Sequence, residues 1–294
     1  MNKKLYRKIE PYIWIAPSVI LMAVFILTPI VSVFRMALSK VTRAGRVQGF
    51  NGFENFTKVV NSAAFGMVLK NTIVWTIAVV IISTFLGFCL ALVLNNNFKG
   101  RKIVRAIVVF PWATTLVIQA SVWNFIINTD YGTLNTLLLK LGIIKQAVNW
   151  TPTPAAYFAW EIACGIFVTI PFVTFCVLSG LQSIDTSYYE AATVDGANYW
   201  QKLKSLTLPL VRPSLTVSTV LNIIYVFNSF PIIWTMTKGD PANHTDTLVT
   251  YLYKLAFYNG KQGEAAAVSV IGFIILLVCA STYMVYTLRK GDDT

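Results

Sequence analysis

Apolar residues along the 294-residue chain fall into six long blocks separated by shorter polar stretches. A helix needs about 20 predominantly apolar residues to cross the hydrocarbon core of a bilayer. Blocks of that length occupy roughly 12–34, 71–95, 103–127, 157–182, 213–236 and 264–287. They predict an all-α membrane protein with six transmembrane helices. Pro17, Pro29, Pro111, Pro171 and Pro231 lie within the blocks. Neighbouring helices can satisfy carbonyls freed by proline, so these residues predict kinks rather than ends. The first block follows Lys3, Lys4, Arg7 and Lys8. It is too long for the apolar core of a signal peptide, and no small-residue cleavage site closes it. The expectation is a retained first helix, with 1–11 a short cytoplasmic segment and 12–294 one transmembrane domain.

Composition agrees. Hydrophobic residues make up 56% of the chain and charged residues 12%, against about 25% charged in an ordinary soluble domain. The net charge of +12 does not mark a nucleic-acid binder, because the basic residues sit between the apolar blocks, where they meet anionic lipid head groups and set topology. Cys89, Cys164, Cys176 and Cys279 each lie inside a block without CxxC spacing. They read as small apolar residues, not as a disulfide or metal framework.

Orientation follows the basic residues. An inside N-terminus puts Lys3, Lys4, Arg7, Lys8, Lys99, Arg101, Lys102, Arg105, Lys202, Lys204, Arg212, Arg289 and Lys290 on the cytoplasmic side, 13 of the 24 basic residues. The shortest loops carry most of this bias. Both termini are then cytoplasmic. The outer segments are 37–68, with a short amphipathic stretch; 128–156, with a helical Thr133–Leu141; and 237–262, opening on the turn signal Lys238-Gly239-Asp240-Pro241.

The loop between the fourth and fifth blocks, 183–212, is unlike the others. Asp185 or Thr186 can cap a helix. Tyr188 to Val194 then forms a short helix with Ala191-Ala192 at its centre, flanked by Glu190 and Asp195. Gly196 can supply the positive φ that ends it. A second helix, about Tyr199 to Thr207, follows, and Pro209 and Pro213 mark the return to the membrane. Small residues let another surface approach closely; an ordinary loop helix with chance alanines is the other reading.

Glu190-Ala191-Ala192, then Gly196 four residues on, then Leu208-Pro209 twelve beyond that, resembles the EAA motif of bacterial ABC importer permeases, with Tyr189 and Asp195 beside it. The wider chain is similar to sugar permeases of the MalF/UgpA type. The likeness is carried by Leu181-Gln182-Ser183-Ile184, Phe227-Asn228-Ser229-Phe230, Thr235 to Pro241, Thr247-Leu248, Tyr251-Leu252-Tyr253, Ala256-Phe257 and Gly263 to Ala267. Many relatives have Gly-Gly-Pro where Gly239-Asp240-Pro241 stands. The resemblance implies the type I importer permease fold (MetI/MalF-like), in a short form without extra N-terminal spans. It implies that the EAA helix docks on an ATP-hydrolysing subunit. It also implies a second homologous permease, two ATPase subunits that bind ATP and magnesium, and an extracytoplasmic solute-binding protein. This chain itself would hold no cofactor or metal and no catalytic residue.

Sugar sites combine aromatic faces with amides and hydroxyls. Asn222, Tyr225, Val226 and Ser229 recur at i, i+3, i+4 and i+7, one helical face. An intramembrane asparagine needs a partner, so Asn222 either meets the solute or bonds a neighbouring helix. Alignment to the maltose permease through the motif carries its sugar contacts onto Val168, Thr169, Phe172, Asn222, Tyr225, Val226 and Ser229. Val168, Thr169 and Val226 differ from what a maltose site wants, so the solute need not be maltose. Pro171 can open the helix beside Phe172. Glu161 reads as an interfacial carboxylate and His244 as a solvated loop residue.

The implied function is the membrane subunit of an ATP-driven importer for a sugar or sugar-like solute. No Gly-x-x-x-x-Gly-Lys-Ser/Thr loop is present; Gly260-Lys261 continues into Gln262. A secondary transporter or channel is the alternative. It predicts intramembrane ionisable groups and repeated halves, and the blocks show neither in quantity. A membrane enzyme would need clustered His, Asp, Glu or Cys.

Overall fold

The computed structural model describes residues 3–292, with side chains described for 12 and 14–287. Lys3, Lys4, Arg7, Lys8, Arg289 and Lys290 therefore lie outside the described side chains. The chain forms two compact units.

The first unit comprises the chain up to Ser62 together with Leu252–Phe273. It opens with α1 (Lys3–Met22), a π turn (Ala23–Leu27) and α2 (Thr28–Ala37). Within this run Trp14–Ala37 is apolar and long enough to cross a membrane, and none of its most apolar stretch is buried. A hairpin follows, β1 (Ser39–Val41) antiparallel to β2 (Val47–Phe50), then α3 (Glu54–Val60). Asn55 ties these pieces together by donating to the carbonyls of Ala37 and Ser39, both at 2.9 Å. The hairpin is absent from the sequence expectation, which placed only an amphipathic stretch here; that stretch is α3. Strands of three and four residues are too short to show an alternating pattern.

The second unit, Ala63–Tyr251 with the chain from Ile274 on, holds the central helices. In chain order these are α4 (Phe65–Asn95), α5 (Arg101–Val109), α6 (Leu116–Ile127), α7 (Thr133–Lys140), α8 (Pro154–Gln182), α9 (Thr186–Val194), α10 (Tyr199–Lys202), α11 (Leu208–Phe227), α12 (Pro231–Met236) and α13 (Leu248–Tyr253). A last helix, α14 (Gln262–Asp292), ends the described chain.

Helices α4, α8 and α11 form the heart of this unit, with α4 against α8 the most extensive pairing. Small residues make it possible. A Cβ on Gly87 would lie 2.8 Å from Val173, and one on Gly165 would lie 2.8 Å from the Trp75 ring. Trp75 fills the space so left and is 1% exposed. Its indole N–H donates 2.9 Å to the carbonyl of Val226 on α11. One side chain thereby joins three helices. Two apolar clusters flank this seam. One surrounds Trp75, Val79, Val168, Val226 and Ile233. The other, nearer α9, contains Leu94, Val173, Val177, Leu181 and Val211.

Five helical runs among the described residues are long and apolar enough to span, including Phe65–Asn95, Pro154–Gln182, Tyr199–Met236 and Gln262–Thr287. The expected third span is corrected. Arg101–Ala113 and Leu116–Ile127 are bent 98° from each other; counted as one broken span, the pair brings the candidate crossings to six. The break is chemical. Thr114 and Thr115 are both extended, and the Thr115 hydroxyl accepts from the Ile118 N–H, capping α6. Gln119 donates to the Pro111 carbonyl at 2.8 Å and to the Thr114 hydroxyl. A broken helix is tolerated at membrane depth when protein groups satisfy its backbone in this way.

The fifth span also differs. Helix continues from Tyr199 without returning through a proline-marked loop, and a π turn (Leu203–Thr207) precedes Pro209. A wider turn absorbs the hydrogen bond that the proline cannot donate. The span then pauses at 228–230, where the Asn228 amide donates back to the Ile224 carbonyl at 2.8 Å. The outer segment 237–262 carries α13 and a π turn (Lys254–Tyr258) as well as the expected turn. Helix α7 stands where the expected Thr133–Leu141 helix was placed.

Gly87→Val should lower the thermal midpoint of the purified protein, since overpacking such a seam costs about 1–3 kcal/mol. Gly66, with nothing near its Cβ position, should accept alanine without loss in the same melt.

Candidate functional site

Two regions gather the residues singled out from the sequence. The first is α9. Its N-cap is Asp185, whose side chain accepts from the Ser187 N–H at 2.9 Å. That backbone donor holds the Asp185 carboxyl below its ordinary value. At the other end Gly196 takes φ +77°. The N–H of Ala197 reaches the Ala192 carbonyl at 2.9 Å and that of Gly196 reaches Thr193 at 3.1 Å. This paired pattern ends helices through a left-handed glycine. Asn198 and Gln201 then cap α10 reciprocally, at 2.7 and 2.9 Å.

Both ends of α9 are thus closed by its own residues, and it is braced from below. The Tyr189 hydroxyl pairs with Thr207 at 3.2 Å, and the Lys202 ammonium donates to Thr193 at 2.7 Å. Glu190, Ala191, Asp195 and Gly196 are exposed, while Tyr189 and Ala192 are half-buried. Large apolar side chains stand open around them: Tyr188 at 55%, Val194 at 88% and Trp200 at 73%. Uncovered aromatic rings are the residues enriched at docking surfaces, and the small residues beside them leave room for close approach.

The second region is a groove of about 270 Å³ lined by Trp112, Val168, Thr169, Phe172, Leu221 and Tyr225. The rings of Trp112 and Phe172 lie 6.3 Å apart. A wider cavity of about 590 Å³ adjoins along Trp112 and Phe172 and continues past Cys176, Ser179, Pro213 and Ser214. No charged side chain lines either space.

The structure brings four of the singled-out residues to this groove: Val168, Thr169, Phe172 and Tyr225. Three others do not line it. Asn222 is fully buried and donates 2.9 Å to the Ser83 hydroxyl on α4, the neighbouring-helix alternative. Val226 is buried against the seam. Ser229 lies beyond the end of α11, so the helical spacing that grouped it with Asn222 stops short of it. The oxygens Asn222 Oδ1 and Ser229 Oγ are buried without a hydrogen-bond partner among the described residues. The Thr169 hydroxyl is spent on the Gly165 carbonyl, 2.9 Å away.

Trp112 and Leu221 were not anticipated. Leu221 neighbours Asn222 and shares the α11 surface with Tyr225. Trp112 reaches the groove only because the third span is broken beside it. Glu161, expected at the interface, is instead completely buried. Its Oε1 accepts from the Thr237 hydroxyl at 2.6 Å, while its Oε2 is buried without a hydrogen-bond partner among the described residues. His244 is exposed, as expected. The four cysteines are free.

The chain belongs to the family of binding-protein-dependent transport system inner membrane components, whose family model matches residues 83–289. A probable ABC transporter permease protein of Brucella suis biovar 1 is 46% identical over 283 residues, covering 96% of this chain and 98% of that one. The trehalose/maltose transport system permease protein MalF of Thermococcus litoralis is 33% identical over 285 residues, covering 96% and 95%. Among solved structures, a chain of a bacterial ABC transporter involved in the import of the acidic polysaccharide alginate superposes with a TM-score of 0.85. It is 25% identical, with 98% of this chain and 99% of that chain covered. The protein is the membrane-embedded permease subunit of a binding-protein-dependent ABC importer with the type I fold.

If Asn222 serves the helix seam, Ser83→Ala and Asn222→Ala should be non-additive in a thermal-stability cycle. A coupling of about 0.6 kcal/mol is expected for such an intramembrane pair; strictly additive losses would remove that role.

Proposed function

We propose that this subunit imports a neutral sugar or sugar-like solute, with α9 as the element that receives the motion of the ATPase. The observation that carries the reading is α9 itself. Its caps and braces fix it to α10 and α11, yet the Glu190-Ala191 surface is left open. Tyr189, Glu190, Ala191, Ala192, Asp195 and Gly196 form the coupling surface. Closure of two ATPase subunits around ATP and magnesium pulls this helix, and α11 transmits the pull directly, because α10, the π turn and α11 follow one another without a loop from Tyr199 to Phe227.

The groove is the solute path through this half of the transporter. The relatives named for trehalose, maltose and alginate support a saccharide. Aromatic faces at Trp112, Phe172 and Tyr225 suit the apolar faces of a sugar ring. The absence of charge in the lining favours a neutral solute over an acidic one such as alginate. Val168, Thr169 and Phe172 supply one wall, Tyr225 the other. Asn222, Val226 and Ser229 stand behind that wall, and the unpaired oxygens of Asn222 and Ser229 become acceptors when α11 turns. A second, homologous permease completes the path, and a solute-binding protein docks on the side opposite α9. Both termini are cytoplasmic, and the subunit itself performs no catalysis and binds no cofactor.

Glu190→Lys should leave the complex able to assemble but cut uptake more than about tenfold, because a misplaced charge at a docking surface costs several kcal/mol. Solute uptake and ATPase rate in proteoliposomes test this; normal uptake would end the coupling assignment. Tyr225→Ala should reduce uptake at limiting solute by about tenfold, the worth of one aromatic contact of ~1.4 kcal/mol, with ATPase subunits still co-purifying. Unchanged uptake would remove Tyr225 from the path.

A further inference from the structure

We propose that α5 and the short turn after it form a binding site for one anionic phospholipid. The head group sits at Lys99 and Lys102, and an acyl chain lies in the groove between α5 and α8.

The geometry starts with length. Helix α6 has 12 residues and is about 18 Å long at 1.5 Å per residue. That is well short of the roughly 30 Å hydrocarbon core. The 98° bend means that α5 and α6 cannot both stand upright, so we place α5, the more amphipathic of the two, along the interface. Its two faces differ as an interfacial helix requires. On the inner face Val104 and Val108 pack on the cluster around Leu94 and Val177. Arg101 and Arg105 are on that side as well. Arg101 donates to the Leu94 carbonyl at 2.6 Å and to Asn97 at 3.0 Å. Gln182, with its amide oxygen turned toward them, accepts from Arg105 at 2.6 Å and Arg101 at 3.0 Å. These two guanidinium groups are engaged in holding α5 to α4 and α8.

The outer face has no such partners. Ile103, Ile107 and Phe110 are 66%, 64% and 71% exposed. With Ala106, Phe167, Ile170 and Pro171 they line an apolar groove of about 640 Å³. Lys102 stands at the head of this stripe and Lys99 just before it, both exposed. Neither has an ion-pair partner among the described residues, and no acidic residue occurs anywhere between Glu54 and Asp130. An apolar slot crowned by two free ammonium groups matches an amphiphile with an anionic head, and the bilayer supplies one. Because Phe167, Ile170 and Pro171 lie on the same helix as Val168, Thr169 and Phe172, the lipid would brace the back of the solute groove. The site rests on the proposed orientation only for naming its leaflet as the cytoplasmic one.

The test uses the whole importer, permeases with ATPase, in nanodiscs carrying photoactivatable phosphatidylglycerol or photoactivatable phosphatidylcholine, each labelled on an acyl chain. Cross-linked peptides are mapped by mass spectrometry. Phosphatidylglycerol should label 103–111 and 167–171, and unlabelled phosphatidylglycerol should compete while phosphatidylcholine does not. Lys102→Gln, and separately Lys99→Gln, should each raise the competing concentration about fivefold, the worth of one lysine at an anionic surface. Ile107→Trp should block the labelling by filling the groove while leaving both charges. Equal labelling by the two lipids would mean ordinary boundary lipid and overturn the proposal. Absence of label, with these segments cross-linked to a partner permease instead, would also overturn it. These readouts need no transport, so they fail or succeed separately from the solute and coupling assignments.

Discussion

The close approach of α4 and α8 is the constraint on which the rest depends. Helices in a bilayer gain little from apolar burial alone, since lipid tails are as apolar as leucine. They associate through contact and hydrogen bonds, and both need the backbones near one another. Gly87 and Gly165 remove the side chains that would hold α4 and α8 apart. Trp75 then occupies the gap and ties the pair to α11 through the Val226 carbonyl. The Asn222 to Ser83 bond adds a second link between α4 and α11. With these three helices locked, the faces of α8 and α11 that carry Phe172 and Tyr225 are brought to one groove.

Backbone satisfaction explains the irregular parts. In hydrocarbon an unpaired amide or carbonyl costs several kcal/mol, so a helix is broken only where side chains replace its bonds. Gln119 does this at the third span and Asn228 at the fifth. The first break delivers Trp112 to the groove, and the second ends α11 just after Tyr225 and Val226. Both departures from regular helix therefore lie next to the groove, and the polar residues that permit them are part of how it is built.

The proposed link between the groove and α9 rests on stiffness. The short helix owes its order to local contacts: Asp185 at one end, Gly196 at the other, Tyr189 and Lys202 beneath. It needs nothing from a partner to be formed, so binding a partner there would carry no cost of folding it. From α10 the chain runs through the π turn into α11 without an intervening loop. The same run of helix carries Tyr225.

What the sequence alone determined is what local physics decides. Block length located the apolar runs, and the caps of α9 were legible at Asp185 and Gly196, because a cap depends on residues within one turn. The Glu190-Ala191-Ala192 pattern, with Gly196 and Leu208-Pro209 at their spacing, was enough by itself to point to the family. Tertiary structure decided the rest. Whether Asn222 faces a solute or Ser83 depends on a helix 139 residues away in the chain. Whether Glu161 meets water or Thr237 depends on a loop 76 residues on. Hydropathy saw 103–127 as one apolar block, since it counts side chains and not the extended backbone at Thr114 and Thr115. Periodicity grouped Ser229 with Tyr225 because it assumes a helix that in fact stops at Phe227. In each case the deciding partner is close in space and distant in sequence, or the deciding variable is a backbone torsion that hydropathy does not encode.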